Sequence, residues 1–291
     1  MNPDPPPSAL DRLGPLLDRF RVRATLFHAG ALCGVTHFAP EPGRAFLHVL
    51  RRGELQVRHG PDGALRTVPA PALLFYPRAV EHAFINPPVD GADFVCATLA
   101  FDGGDRHPVA AALPPAVILP VDAVPGLGPT LDLLFDEADR TRCGSRVVLD
   151  RLFDVVLVQV LRALLAEGRE DERRTGLMAG LAHPRLAPLL TALHRAPGEA
   201  WPLARMARVA GLSRSAFAET FARVVGTTPS AYLGAWRIDL ACAELRAGRP
   251  VGVVADELGF SGAAAFSRAF RERMGCSPRE WRARASSETA P

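Results

Sequence analysis

The chain has 291 residues, 48% of them hydrophobic, and a formal net charge of only +3. That is enough for about two domains with proper cores, and the near-balance of charge says little about partners. No apolar run approaches the ~20 residues needed to span a bilayer. Residues 1–8 lack the basic and apolar segments of a secretory leader. The expectation is a cytoplasmic protein whose five cysteines are reduced rather than bridged. All 34 basic residues are arginine, a composition in keeping with a GC-rich genome. They are unevenly spread: residues 195–284 hold 14 Arg against 8 Asp or Glu, so the last third is the basic part, as a polyanion-binding module requires.

Residues 1–9 are Pro-rich and read as a disordered tail. Leu10 to Phe20 predicts a short amphipathic helix, with Leu10, Leu13, Leu16, Leu17 and Phe20 on one side. From Val22 to about Phe101 short apolar or alternating runs follow: Arg23–Phe27, Phe46–Arg51, Glu54–Arg58, Ala72–Tyr76 and Phe94–Phe101. Turn signals such as Gly60-Pro61-Asp62-Gly63 separate them. Many short strands with frequent turns predict a β-sandwich or small barrel over residues 10–125.

Helical spacing returns at Leu127–Arg140 and Arg146–Glu167, the 126–168 segment. The second run is apolar around more than one face. Such a helix lies either between the barrel and a second subunit, making a homodimer, or wholly inside one subunit. A linker is expected at 169–182, then a helix at His183–Ala196 that opens a helical module spanning 183–285. Residues 286–291 read as a tail.

Within that module one pattern is written twice. The first copy is Ala207-x-x-Ala210-Gly211-Leu212-Ser213, then Phe217, Phe221, Gly226, Pro229 and Tyr232. The second is Ala255-x-x-Leu258-Gly259-Phe260-Ser261, then Phe266, Phe270, Gly275, Pro278 and Trp281. The offset is 48 residues up to the serine and 49 after it. Each copy spells helix, Gly turn, helix, Pro-started helix, which is how a helix-turn-helix reads. Ser213 is an N-cap candidate, and Gly211 can take the left-handed backbone at the preceding helix end. Ser277-Pro278-Arg279-Glu280 has capping-box spacing. The inward stripes leave Arg214, Ser215, Ala218, Glu219 and Arg223 outward in copy one. In copy two they leave Ala263, Ala264, Ser267, Arg268 and Arg271 outward. Pro229 to Leu245 predicts one helix of roughly 26 Å, of the right order to hold two reading helices about one DNA turn, ~34 Å, apart.

On these residues the segment 195–284 resembles the AraC/XylS family of bacterial transcription regulators. The resemblance implies double-stranded promoter DNA as partner, a bacterial cytoplasmic location at the nucleoid, and RNA polymerase as a further partner. It implies base reading from Arg214, Ser215, Ala218 and Glu219, and from Ala263, Ala264, Ser267 and Arg268. Glu219 either accepts from a cytosine amino group or sits in a local salt bridge. Arg237, Arg271 and Arg282 would hold phosphates, which set register but not sequence.

Pro77-Arg78, His82 and Asp93-Phe94-Val95-Cys96-Ala97 make the strand-rich part similar to the cupin-type sensing barrel of that family. The expected fold class is therefore α+β: a cupin-like barrel with following helices, then an all-α tandem helix-turn-helix. Cys33, His48, His82 and Cys96 fall in or beside predicted strands, and Cys₂His₂ is a good tetrahedral set for zinc. They are a Zn²⁺ site, a redox pair drawn from Cys33 and Cys96, or separate core residues. His48 is followed by Val49 and Leu50, so the H-x-H pair of cupin enzymes is absent, as is their Glu. The reading is a regulator, not an enzyme, that answers a small molecule, metal or redox signal through the barrel. The alternative is a metal-dependent cupin enzyme fused to a DNA-binding module.

Overall fold

A computed structural model describes residues 10–20, 22–60, 63–86, 91–140, 142–167 and 175–288. The expected tail at 1–9, the first part of the expected linker (169–174) and residues 289–291 lie outside the described residues. The chain forms two units: residues 22–167, and residues 10–20 together with 175–288.

Among the described residues the first unit holds nine strands: β1 (Val22–Leu32), β2 (Gly34–Phe38), β3 (Arg44–Arg52), β4 (Glu54–His59), β5 (Arg66–Pro69), β6 (Ala72–Tyr76), β7 (His82–Asn86), β8 (Ala92–Phe101) and β9 (Val117–Pro120). They pair antiparallel in two sheets, β1-β8-β3-β6-β9 and β2-β7-β4-β5. The predicted runs became β1, β3, β4, β6 and β8. The strands β2, β5, β7 and β9 were not expected: each has five residues or fewer, too short for alternation to stand out, and none carries the five consecutive apolar residues that marked the equally short β6. Phe38, Phe46, Leu50, Leu55, Val57, Tyr76, Phe84 and Phe94 fill the core. The alternate residues Leu47, Val49, Leu73, Phe75, Val95 and Leu99 are buried as well, so the five-stranded sheet is covered on both faces.

The helices of the chain are α1 (Gly14–Leu17), α2 (Pro108–Ala112), α3 (Leu127–Asp139), α4 (Ser145–Glu167), α5 (Leu177–Ala182), α6 (Leu186–Arg195), α7 (Leu203–Val209), α8 (Arg214–Val225), α9 (Pro229–Arg246), α10 (Val251–Glu257), α11 (Ala263–Met274) and α12 (Pro278–Glu288). In the first unit α4 packs on α3 and on β1. Asp150 and Asp154 of α4 accept from the backbone amides of Leu26 and Ala24, at 2.9 and 3.4 Å. Those amides lie on the free edge of the sheet, so the two carboxylates close an edge that would otherwise pair with another strand. Phe153, Val156, Leu157, Val160 and Leu161 form the buried stripe of α4, while Val147, Val148 and Val155 are exposed. A helix buried wholly within one subunit is not what the fold shows.

Several element boundaries differ from those expected from the sequence. By their contacts residues 10–20 group with the C-terminal unit. Within them only Gly14–Leu17 is helical: Asp11 accepts from the Gly14 amide at 2.8 Å, and Pro15 starts a turn that goes no further. The expected linker is partly structure, since α5 occupies 177–182 and Leu177, Ala179, Leu181 and Ala182 are buried. His183 ends α5, and the expected helix at His183–Ala196 begins only at Leu186. The expected C-terminal tail is helical as far as Glu288, the end of α12.

Candidate nucleic-acid interface

The repeat in the sequence is a repeat in space. In the first copy, Phe217 and Phe221 meet edge to face at 5.6 Å, and Phe221 meets Tyr232 of α9 at 5.7 Å. In the second, Phe266 and Phe270 meet at 5.6 Å, and Phe270 meets Trp281 of α12 at 6.2 Å. All four phenylalanines are fully buried. They sit at i and i+4, so each pair lies along one face of its helix and leaves the opposite face outward. Gly211 and Gly259 take φ of +64° and +71° at the turns, a conformation that costs glycine nothing.

The helix starts differ. Ser213 caps α8 through its hydroxyl, which accepts from the Ala216 amide at 3.3 Å. Ser261 does not cap α11. The additional residue of the second copy places Gly262 at that position, with φ of 139° and no side-chain cap. Thr228 caps α9, accepting from the Ala231 amide at 3.2 Å. Ser277 and Glu280 form the reciprocal box: the Ser277 amide donates to Glu280 at 2.6 Å, and the Glu280 amide to Ser277 at 3.2 Å.

On α8, Arg214, Ser215, Glu219 and Arg223 are exposed and Ala218 is half-buried; Ala222 joins the exposed face. On α11, Ala263, Ala264, Arg268 and Arg271 are exposed and Ser267 is half-buried. Among the described residues Arg214, Glu219, Arg223, Arg268 and Arg271 enter no ion pair within 4.0 Å. The local salt bridge considered for Glu219 is therefore not made. Arg282 is exposed on α12.

Arg237 is the exception among the expected DNA-contacting residues. Its guanidinium is half-buried and donates to the carbonyls of Pro197, Gly259 and Glu199, at 2.8, 3.2 and 2.9 Å. Three carbonyls hold the fork that a phosphate would need, so Arg237 ties α9 to the 197–199 loop and to the second turn. Arg273, unmarked in the sequence reading, grips Asp239 of α9 through both carboxylate oxygens and fixes α11 on the long helix. Nothing in residue type separates these two structural arginines from their exposed neighbours.

In the barrel His48 and His82 meet, with Nε2 atoms 3.2 Å apart. His82 donates its Nδ1 proton to the Val80 carbonyl at 2.8 Å. Its Nε2 is then the acceptor, and His48 donates to it. His82 stacks between Phe38 and Tyr76, with centroids 4.7 and 3.8 Å away. Burial holds both rings neutral, pushing His82 down to about 4 and His48 well below the ordinary imidazole range. Cys96 lies opposite His48 across β8 and β3, and burial pushes its thiol up.

Cys33 does not join them; it is exposed beyond the end of β1. Cys96 pairs in register with His28. Five residues of strand, roughly 16 Å, therefore separate Cys33 from that level, too far for a disulfide without strand movement. No group of three or more His, Cys, Asp or Glu among the described residues is arranged to hold a metal ion. The four-ligand zinc set is corrected to one buried imidazole pair packed in aromatic rings.

Residues 11–166, more than half of the chain, match the cupin family, and residues 206–284 match a helix-turn-helix domain family. The chain belongs to the cupin family. Two proteins described as AraC-like transcription regulators, from Streptomyces antibioticus and Streptomyces lividans, are each 35% identical over 173 residues. That is 58% of this chain and 56% of each of them. The match thus spans little more than half the length of those relatives. The RCS-specific HTH-type transcriptional activator RclR of Escherichia coli is 26% identical over 242 residues, 81% of this chain and 84% of that protein. This cupin therefore carries the domain pair of the AraC-type DNA-binding transcriptional regulators. No helix among the described residues is long and apolar enough to cross a membrane.

Proposed function

We propose that this cupin regulates transcription in the bacterial cytoplasm by binding promoter DNA through α8 and α11. The observation that carries the reading is the duplicated packing: each helix is pinned by a buried Phe pair and offers an exposed first turn. An exposed helix N-terminal face with unpaired arginines suits a major groove. Arg214, Ser215, Ala218 and Glu219 read base edges, with Glu219 free to accept from a cytosine amino group. Ala263, Ala264 and Ser267 offer little hydrogen bonding, so α11 with Arg268 mainly positions the complex. Arg223, Arg271 and Arg282 hold phosphates.

The exposed Val147, Val148 and Val155 of α4 support a homodimer joined through that helix. A bound effector acts by favouring the barrel state in which the readers engage DNA, and RNA polymerase is the next partner at the promoter. The bare, buried Nδ1 of His48 is the acceptor such an effector would find first. A metal-dependent cupin enzyme fused to a DNA-binding module is the weaker reading. The barrel lacks the H-x-H pair, and the relatives are described as transcription regulators.

The test is selection of duplexes from a random pool by the full chain. Enrichment of a motif in two parts about one DNA turn apart is expected, with affinity falling steeply as salt rises. Recovery of a pool no different from the input would sink the reading.

A further inference from the structure

We propose that residues 10–20 are a working part of the DNA reader: a strap across the long helix α9 that sets how the two reading helices stand to one another. The proposal rests on the reading of α8 and α11 as a tandem DNA-binding pair.

The strap is anchored at three points, all within the C-terminal unit. Arg12 donates to the Leu181 carbonyl at the end of α5, at 3.0 Å. Leu16 is fully buried, with α1 packed on α6. Phe20 is buried and meets the Trp236 ring edge-on at 5.1 Å. Trp236 lies near the middle of α9, which packs against α8 of the first half of the module and against α10, α11 and α12 of the second. Its other neighbour is His194 of α6, with centroids 4.1 Å apart, and His194 in turn bonds the Tyr232 hydroxyl at 2.7 Å. Arg19 donates to the Arg195 carbonyl at 3.4 Å. It also lines a cavity of about 350 Å³ whose wall continues through Leu240 of α9 to Val254 and Glu257 of α10. The strap thus spans from α5 and α6, beneath the first reader, to the margin of the second.

Besides the Arg273–Asp239 pair, two features fasten the joint between the readers near the middle of α9. Arg237 is one, bonded to both the 197–199 loop and the Gly259 turn. The strap is the other, and it acts on the adjacent residue, Trp236. Only residue 21 separates Phe20 from Val22, where β1 begins, so strap and first barrel strand are one run of chain. Two linked readers bind jointly only when their spacing matches the site, so loosening α9 penalises joint binding and spares either half alone.

The experiment titrates the full-length protein and its Phe20→Ala and Phe20→Leu variants against a duplex that the full-length chain has selected. The same duplex with either half scrambled is the control. Phe20→Ala is expected to weaken binding to the intact duplex about tenfold and to either half-duplex by less than about twofold, with Phe20→Leu recovering most of the loss. Hydrogen exchange in the same variant should speed up along residues 232–245 and stay unchanged in β3 and β6. Equal losses on intact and half duplexes would overturn the strap, because they signify plain destabilisation. Unchanged affinity with unchanged exchange would overturn it too. Should Phe20→Ala not fold, Arg12→Ala, which deletes the bond to Leu181, takes its place with the same readouts. If the unmodified chain selects no sequence, the DNA-reading proposal fails while hydrogen exchange still judges the strap.

Discussion

The two helix-turn-helix units share an interior and differ in everything that faces outward. Their Phe pairs have the same 5.6 Å spacing, and both turns use a left-handed glycine. Yet α8 starts from a serine cap and presents Arg, Ser and Glu, whereas α11 starts from Gly262 and presents two alanines before its first arginine. Packing admits few solutions, so both copies keep one. The outward surface is under no such constraint and is where the copies have parted, into the proposed reader and the proposed clamp.

The largest test is of the shared interior. Phe217→Ala and Phe266→Ala should each cost about 3–5 kcal/mol, measured by urea denaturation. A much smaller loss in one unit would show that the interiors are not equivalent.

Acid should separate the units next. His194, on the aromatic joint of the first, is pushed down to about 3 by burial, against 6.5 for a free imidazole. The unfolded chain therefore binds a proton that the folded one refuses between those values. The stability from the neutral ring is complete above pH 6.5 and is lost as pH falls from 6.5 towards about 3. Hydrogen exchange during acidification should show α6 and α9 opening before α11, and His194→Gln should flatten that difference. Opening of α11 first would contradict it.

On DNA, Glu219→Ala should shift preference at one base position by about 1–3 kcal/mol. Arg268→Ala should instead weaken all sequences alike and lower the salt slope by about 1. A sequence-selective effect of Arg268 would break the division into reader and clamp. The smallest difference lies at the caps. Ser213→Ala should cost about 1 kcal/mol, while Ser261→Ala should stay within about 0.5 kcal/mol, since Ser261 is exposed and caps nothing.

Much of the module was legible because its signals are local. A cap serine, a turn glycine and a Pro-started helix act within four or five residues, and Ser213 and the Ser277–Glu280 box are where the pattern placed them. Ser261, at the place in the second copy that Ser213 holds in the first, caps nothing, because one inserted residue moves the cap without changing the motif. The barrel was half legible: the longer strands showed their alternation, and the short ones did not. The zinc set failed for a different reason. Ligand convergence depends on register, and β1 carries Cys33 past the end of the sheet while it sets Cys96 against His28.

By itself the sequence determined the family of the two modules, the repeat, and which helix faces are inward, because periodicity and capping are properties of neighbours along the chain. Only the tertiary structure decided that Arg237 is a fastener, that His48 and His82 meet without Cys33, and that residues 10–20 meet Leu181, α6 and Trp236. Each of these depends on groups far apart in the chain, from 22 residues between Arg237 and Gly259 to 169 between Arg12 and Leu181. No local pattern records such a meeting, because its free energy comes from burial and hydrogen bonds that exist only once the chain has folded.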